Sequence, residues 1–261
     1  MGYVGTMTDK DVAQFDKAGY VTVDTPLTQE ELAAASAAMD RLLPFDGKNH
    51  RPSQTCSYDD PALVAIIQHP FFESVAKQVL RAPSVLFFQT AILNAYPEPN
   101  APFSFWQHVD IQYRRSDFDA APKRILCSFF LWLTDVNEKR APMMVRPGSH
   151  LLIADKNQQE PAPDGYIPRV APVMLSLLPT LPYAEPIPLT ATAGQVSVLT
   201  TAAVHGASVN VDTELRRNFV LTFTASDVAI GLSPGEEQQK REYHRALRPL
   251  MRPDRRHILL A

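Results

Sequence analysis

The chain has 261 residues, enough for one barrel-type domain with decorations or at most two small domains. Hydrophobic residues make up 45% and charged residues 20%, so the chain can bury a sizeable core and is not a disordered polymer. A net charge of −3, with no block of Lys and Arg, argues against a nucleic-acid partner. No apolar run approaches the ~20 residues that a membrane span needs, and the start of the chain lacks the charged-then-apolar order of a signal peptide. The expectation is a cytoplasmic protein, monomer or homodimer, with no membrane partner. Met1-Gly2-Tyr3-Val4-Gly5-Thr6 matches a myristoylation pattern, but no polybasic stretch follows to support it, and we read the match as chance. The two cysteines, Cys56 and Cys127, are too few for a disulfide framework.

In chain order, residues 9–18 read as a short amphipathic helix with Val12 and Phe15 on one face and Gly19 as its stop. Residues 20–23 read as a strand. Thr28 and Glu31 make a capping box for a helix that runs toward Leu43. A polar loop is expected over 44–59. Asp60-Pro61 then opens a helix, His69-Pro70 interrupts it, and a further helix reaches about Leu80. Beyond residue 83 the texture changes to apolar runs of strand length, at 84–93, 103–113, 125–133, 142–146, 195–200 and 218–224, separated by Pro, Gly, Asn and Asp. The Pro-rich stretch 158–188 reads as a long loop, and the charged tail 236–256 as partly helical. No repeat or linker divides the chain. The expected organisation is one domain over 1–261: a helical part to about 82, a β-barrel core over about 83–228 and a tail over 229–261.

Chemistry concentrates in Trp106-Gln107-His108-Val109-Asp110. Side chains alternate faces along a strand, so His108 and Asp110 point the same way and can grip one metal without bending the backbone. A third ligand must come from elsewhere, and His205, after the strand-like Gly194–Thr200 run, is the candidate. Two imidazoles and one carboxylate make the facial triad of non-haem iron(II) oxygenases, which leaves three positions open for a chelating cosubstrate and O₂. Each residue alone has a plainer reading: His108 as a hydrogen-bonded strand histidine, Asp110 as a strand-end cap, His205 as a turn residue beside Gly206. Shortly after His205 come Arg216 and Arg217. A guanidinium fork binds a carboxylate at two points, which suits the distal carboxylate of 2-oxoglutarate. Alternation alone does not choose between the two arginines.

At this point the chain resembles the phytanoyl-CoA dioxygenase-like branch of the Fe(II)/2-oxoglutarate oxygenases, which includes ectoine hydroxylase. Residues 16–23 look like that family's opening helix-Gly-strand. Trp106 through Asp110 look like its Trp-His-X-Asp motif, with Gln107 intervening. Ala141-Pro142-Met143-Met144-Val145-Arg146-Pro147-Gly148-Ser149-His150 looks like its Gly-Pro-Met…Pro-Gly-Ser-His turn, with Ala141 in place of a glycine. His205 through Arg216 looks like its distal motif. The resemblance implies a mainly β fold, a double-stranded β-helix or jelly roll of cupin type with N-terminal helices packed on the barrel. It also implies that Arg216, eleven positions after His205, is the 2-oxoglutarate anchor, and that Gln89 and Asn94 contact the cosubstrate. Fe(II), 2-oxoglutarate and O₂ follow as cofactors, and hydroxylation of an unactivated C–H bond of a small molecule, with loss of succinate and CO₂, as the reaction. His150 follows Pro-Gly-Ser in a turn and is read as structural rather than as a rival ligand. Gln112, Tyr113 and Arg115, just after the first motif, are candidate substrate contacts, with 158–188 as a lid. Two rivals remain: a cupin-like metalloenzyme that ignores 2-oxoglutarate, and a non-catalytic jelly-roll binding module.

Overall fold

The computed structural model describes residues 7–110, 126–159, 173–228 and 232–260. The chain opens with helix α1 (Asp9–Ala18), capped reciprocally by Thr8 and Asp11 and ended by Gly19 in the left-handed region at φ +85°. Strand β1 (Tyr20–Asp24) follows, then α2 (Gln29–Leu42), whose capping box is the expected Thr28–Glu31 pair. The loop expected over 44–59 contains a short strand, β2 (Ser53–Thr55). Its Ser-Gln-Thr sequence carries no apolar alternation, because it is an edge strand held by backbone pairing alone. Pro61 and Pro70 each sit in the first turn of a helix, α3 (Pro61–Ile67) and α4 (Pro70–Leu80), where a missing N–H costs nothing. His69 caps α4, accepting the Phe71 N–H at Nδ1 (3.2 Å).

The β-rich part supplies β3 (Val85–Ala95), β4 (His108–Val109), β5 (Leu126–Trp132), β6 (Met143–Val145), helix α5 (Ser149–Gln159), β7 (Val173–Met174), β8 (Ile187–Leu189), β9 (Gln195–Thr200), β10 (His205–Ala207) and β11 (Arg216–Ala225). Helix α6 (Pro234–Leu247) and a 3-10 helix (Pro253–Ile258) end it. Several expectations need correction here. The run 103–113 is strand only at β4, plus an isolated bridge from Phe105 to Ser208; residues beyond 110 lie outside those described. Helix α5 begins inside the Pro-Gly-Ser-His turn and reaches into the stretch read as loop, whose later part holds β7, a 3-10 turn at Leu175–Leu177 and β8. Elements of two or three residues show no periodicity to read; pairing partners make them.

Two antiparallel sheets result, of order β1-β9-β5-β11-β3-β2 and β7-β4-β10-β6-β8. The six-stranded sheet is covered on one face by helices and on the other by the smaller sheet, so β5 is buried along its whole length. Alternation on β5 sorts its side chains. Phe129 and Leu131 join Phe72, Met39, Ile66, Phe219 and Phe223 in the helix-side core. Phe130 and Trp132 join Met143, Val145, Leu189 and Leu199 in the core between the sheets. Fully burying each such side chain stabilises by about 1.5–3 kcal/mol. Both cysteines are buried and free. No described helix is long and apolar enough to cross a membrane.

Candidate metal centre

Strand β10 lies between β4 and β6, and its first residue, His205, stands opposite His108 on one side and Val145 on the other. Directly opposed residues share a face. Val145 belongs to the core between the sheets, so both imidazoles turn inward toward the larger sheet. Their ring centroids are 4.7 Å apart, and the Phe130 ring closes on His205 at 6.3 Å. Asp110 completes the group, with Oδ1 3.1 Å from His108 Nε2 and Oδ2 3.4 Å from His205 Nε2. One ligand atom from each of the three residues falls within 4.8 Å of the others. The three residues that the motif reading picked are therefore brought together.

Each is held by its surroundings. The Asp110 N–H donates to Thr201 O (3.2 Å), which ties the end of β4 to the turn before β10. His205 Nδ1 donates to Ala203 O (2.8 Å), and a carbonyl only accepts, so Nδ1 carries a proton and Nε2 is the nitrogen turned to Asp110. Ser149, from the Pro-Gly-Ser-His turn, accepts the Val204 N–H at Oγ (2.8 Å), one residue before the histidine. Gly206 is required by close approach: a Cβ there would collide with the Trp106 carbonyl and the Gln107 backbone. Burial opposes ionisation of Asp110, but the facing His205 and His108 outweigh it and hold the carboxyl well below the usual carboxylate range. Burial likewise opposes protonation of His205, and Asp110 reverses the balance, raising its pKa. A carboxylate flanked by two Nε2 atoms, with His108 Nδ1 buried and unpartnered among the described residues, is a donor set that fits a divalent cation of borderline softness.

On the facing sheet, Arg216 begins β11 and is 5% exposed. Its Nη1 donates to Asn218 Oδ1 (2.8 Å), its guanidinium lies 6.0 Å from the Trp132 ring centre, and its Nε has no partner among the described residues. Burial, reinforced by the charge of Arg51, lowers its pKa to about 10. Arg217 points the opposite way, to Asp40 and to Ser36 O (3.3 Å) on α2. A chain of rings, His205–Phe130–Trp132, leads from the imidazoles to Arg216.

Gln89 and Asn94 do not line this space together. They are five residues apart on one strand, and an odd separation puts them on opposite faces. Asn94 stands opposite Arg217 and its Nδ2 reaches Leu43 O (3.4 Å) at the end of α2, away from Arg216. Gln89 is opposite Thr222, on the face that Arg216 shares, but its Oε1 accepts from Lys240 Nζ (2.6 Å). His150 is buried in the first turn of α5, where Nε2 donates to Asp16 O (3.1 Å) and the ring packs over Gly19; it sits apart from the cluster, as expected. Gln112, Tyr113 and Arg115 lie outside the described residues. Sequence reading passed over Asn218 and Trp132. Asn218 was detectable as the residue two positions along the strand from Arg216, whereas Trp132 meets Arg216 only through the pairing of β5 with β11.

A family model described as Phytanoyl-CoA dioxygenase (PhyH) matches residues 15–218. The ectoine dioxygenase of Bordetella parapertussis is 23% identical over 281 aligned residues, covering 95% of this chain and 87% of its own, and that of Bordetella bronchiseptica matches to the same extent. Among solved structures, the non-heme alpha ketoglutarate dependent carbocyclase SnoK from nogalamycin biosynthesis overlays with a TM-score of 0.65 at 18% identity, over 89% of this chain and 90% of its own. EctD from S. alaskensis, solved with 2-oxoglutarate and 5-hydroxyectoine, overlays with a TM-score of 0.57 at 17% identity, over 86% of this chain and 78% of its own. At such identities the overlays speak for the fold alone.

Proposed function

The chain belongs to the phytanoyl-CoA dioxygenase family of 2-oxoglutarate-dependent non-haem iron dioxygenases, and from that premise we propose that it hydroxylates an unactivated C–H bond of a small molecule, with release of succinate and CO₂. The observation that carries the reading is the convergence of His108, Asp110 and His205 within 4.8 Å on the inner face of the smaller sheet. These three would hold iron(II), His205 through the Nε2 that its bond to Ala203 leaves free. Bound there with 2-oxoglutarate, the iron supplies the oxidising equivalent drawn from O₂. The buried guanidinium of Arg216 would take the distal carboxylate of the keto acid, in two charge-assisted bonds, with Asn218 fixing the fork and Trp132 walling it from water. Phe130 and Trp132 give the space between imidazoles and arginine a dry wall, which strengthens both electrostatic contacts. A metalloenzyme that ignores 2-oxoglutarate would leave that arginine buried without a purpose.

Two measurements test the proposal. Under argon, Fe(II) followed by 2-oxoglutarate should give the visible charge-transfer band of the chelate, with one iron per chain. His108→Ala and His205→Ala should lose the iron; partners one shell out are worth about 10–100-fold in metal affinity, and a direct ligand is expected to exceed that. Full iron occupancy in either variant would end the assignment. Succinate release across a library of small molecules would then identify the substrate class.

A further inference from the structure

Helix α6 carries a nearly buried cation around the edge of the six-stranded sheet. Strand β2 covers that edge of β3 only as far as the bond from Cys56 N–H to Thr90 O (3.2 Å). Past it, α6 lies along β3. Tyr243 OH bonds Thr90 Oγ1 (2.9 Å), and His244 stacks on Phe87 with ring centres 5.2 Å apart. Phe87 belongs to the helix-side core and Thr90 stands opposite Leu221 of that core, so both contacts lie on the helix side. Lys240, one turn earlier, goes round the edge to the other face. It is 9% exposed; its Nζ donates to Gln89 Oε1 (2.6 Å) and sits 4.1 Å from the Phe88 ring centre. Gln89 stands opposite Thr222, on the face turned to the smaller sheet. The ammonium is thus delivered to the space between the sheets.

Strand register places that ammonium relative to the metal centre. Phe130, which closes on His205, stands in a row with Val220 and Ala91. One step along the strands, roughly 7 Å, lies the row of Ser128, Thr222 and Gln89; in the opposite direction the inner face leads past Trp132 and Asn218 to Arg216. The row that faces the metal is therefore flanked by Arg216 on one side and Lys240 on the other. 2-Oxoglutarate, stretched from the metal to Arg216, takes the first side and leaves the second to the substrate. Gln89 and Ala91 are only partly buried although they face inward, whereas Thr90 and Ile92 on the helix side are buried, so the space along β3 is open. Burial lowers the pKa of the Lys240 ammonium, and Cys56 and Glu236 nearby act the other way. Glu236, a turn earlier on α6, accepts from the Ser233 N–H and hydroxyl. At its inward end the ammonium meets a neutral amide and a ring face, so an anion of the substrate gains a charge-assisted bond there. Resting on the reading above, we propose that Lys240 recognises a carboxylate of the substrate, so that the molecule oxidised is a monoanionic organic acid. One buried cation balances one negative charge; a phosphate dianion would bring a second, uncompensated one into the same space. Gln89 is two strands, roughly 10 Å, from β5, so several bonds separate the carboxylate from the carbon that is oxidised.

The test is an anaerobic titration of the protein loaded with Fe(II) and 2-oxoglutarate, read as a perturbation of the chelate band. Its probes are hexanoic, octanoic and phenylacetic acids, each paired with its primary amide. At least one acid should bind more tightly than its amide. Lys240→Gln should weaken that acid by on the order of tenfold to a hundredfold, the range for hydrogen bonds to charged groups, and leave the amides and 2-oxoglutarate unchanged. Lys240→Arg keeps the charge and should restore part of the loss. The proposal is overturned if no acid is preferred to its amide or if the preference survives Lys240→Gln. It is overturned equally if acids and amides weaken together, which would mean general damage to the site. An acid that merely displaces 2-oxoglutarate bleaches the band and is reversed by excess cosubstrate; if every acid acts so, the proposal also fails. A normal band without a Lys240-dependent preference defeats this inference alone. If the unmodified protein forms no chelate band, the proposed function fails with it.

Discussion

Arg216 and Arg217 are neighbours in sequence with opposite surroundings, and that contrast makes a clean experiment. Arg216 faces the core between the sheets, 5% exposed, with no acidic partner among the described residues. Arg217 crosses to α2 and pairs with Asp40, whose side chain is more than half exposed. Arg216→Ala should raise the 2-oxoglutarate requirement sharply, because truncating a buried charge-assisted contact costs roughly 2–5 kcal/mol, while iron stays bound. Arg217→Ala removes a partly solvated pair of about 0.2–1 kcal/mol and should change melting temperature slightly and cosubstrate affinity not at all. Steady-state KM values for 2-oxoglutarate decide the matter. A large effect of Arg217→Ala alone would mean that the strand is one residue out of register, since a one-residue slip exchanges the two faces.

Among the elements, the contact between β10 and the segment leading into β4 governs the metal site most directly. Gly206 follows His205 and lies against Trp106 and Gln107, which precede His108. One added methyl group at Gly206 would drive the two histidine-bearing segments apart. Gly206→Ala is expected to cost about 1–3 kcal/mol as overpacking. It should also lower iron affinity, because both imidazoles move with their backbones. Thermal unfolding measured with and without iron separates the two effects: the stabilisation that iron gives should shrink in the variant. Equal stabilisation in both proteins would show that the backbones absorb the methyl without disturbing the site. The neighbouring pair of Arg146 and Gln107 braces the same place. Arg146 Nε donates to Gln107 Oε1 (2.5 Å), Nη1 donates to Ala184 O (3.0 Å), and the Leu175 N–H donates to Gln107 O (2.7 Å). Gln107, the residue that interrupts the Trp-His motif, thereby ties the metal strand to the segment over 173–189.

Across the whole molecule, helix α4 of the N-terminal helical layer meets the C-terminal 3-10 helix. Glu73 of α4 is buried, and the C-terminal 3-10 helix brings Arg255 Nη2 to 2.6 Å and His257 Nε2 to 3.1 Å from its carboxylate; Lys77 Nζ adds a contact at 2.6 Å. Burial opposes ionisation of Glu73, yet Lys77, His257 and Arg255 outweigh it and lower its pKa from 4.5 to about 2. A carboxyl whose pKa falls on folding contributes stability above its unfolded value and loses it as pH drops toward the folded one. The contribution is therefore complete above about pH 4.5 and gone near pH 2, and amounts to on the order of 3 kcal/mol. Denaturant unfolding from pH 7 to pH 2 should show this loss in the wild type. Glu73→Gln should be less stable at pH 7 and show a flatter slope between pH 4.5 and 2. An identical slope in both proteins would place the acid sensitivity elsewhere.

Local chemistry was legible in the sequence alone because its rules act over a few residues. The capping box at Thr28, the prolines that open α3 and α4, and Gly19 as the stop of α1 fixed the helical layer almost to the residue. The two-residue period put His108 and Asp110 on one face. What lay beyond that range was decided by strand pairing. His205 meets His108 because β10 inserts between β4 and β6, strands too short to carry a periodic signal. Asn94, expected beside the cosubstrate, is turned toward α2 by the parity of β3. Sequence spacing sets which way a side chain faces along its own strand; the neighbour it finds there depends on the register of the next strand, which only the packing of both sheets against their cores fixes.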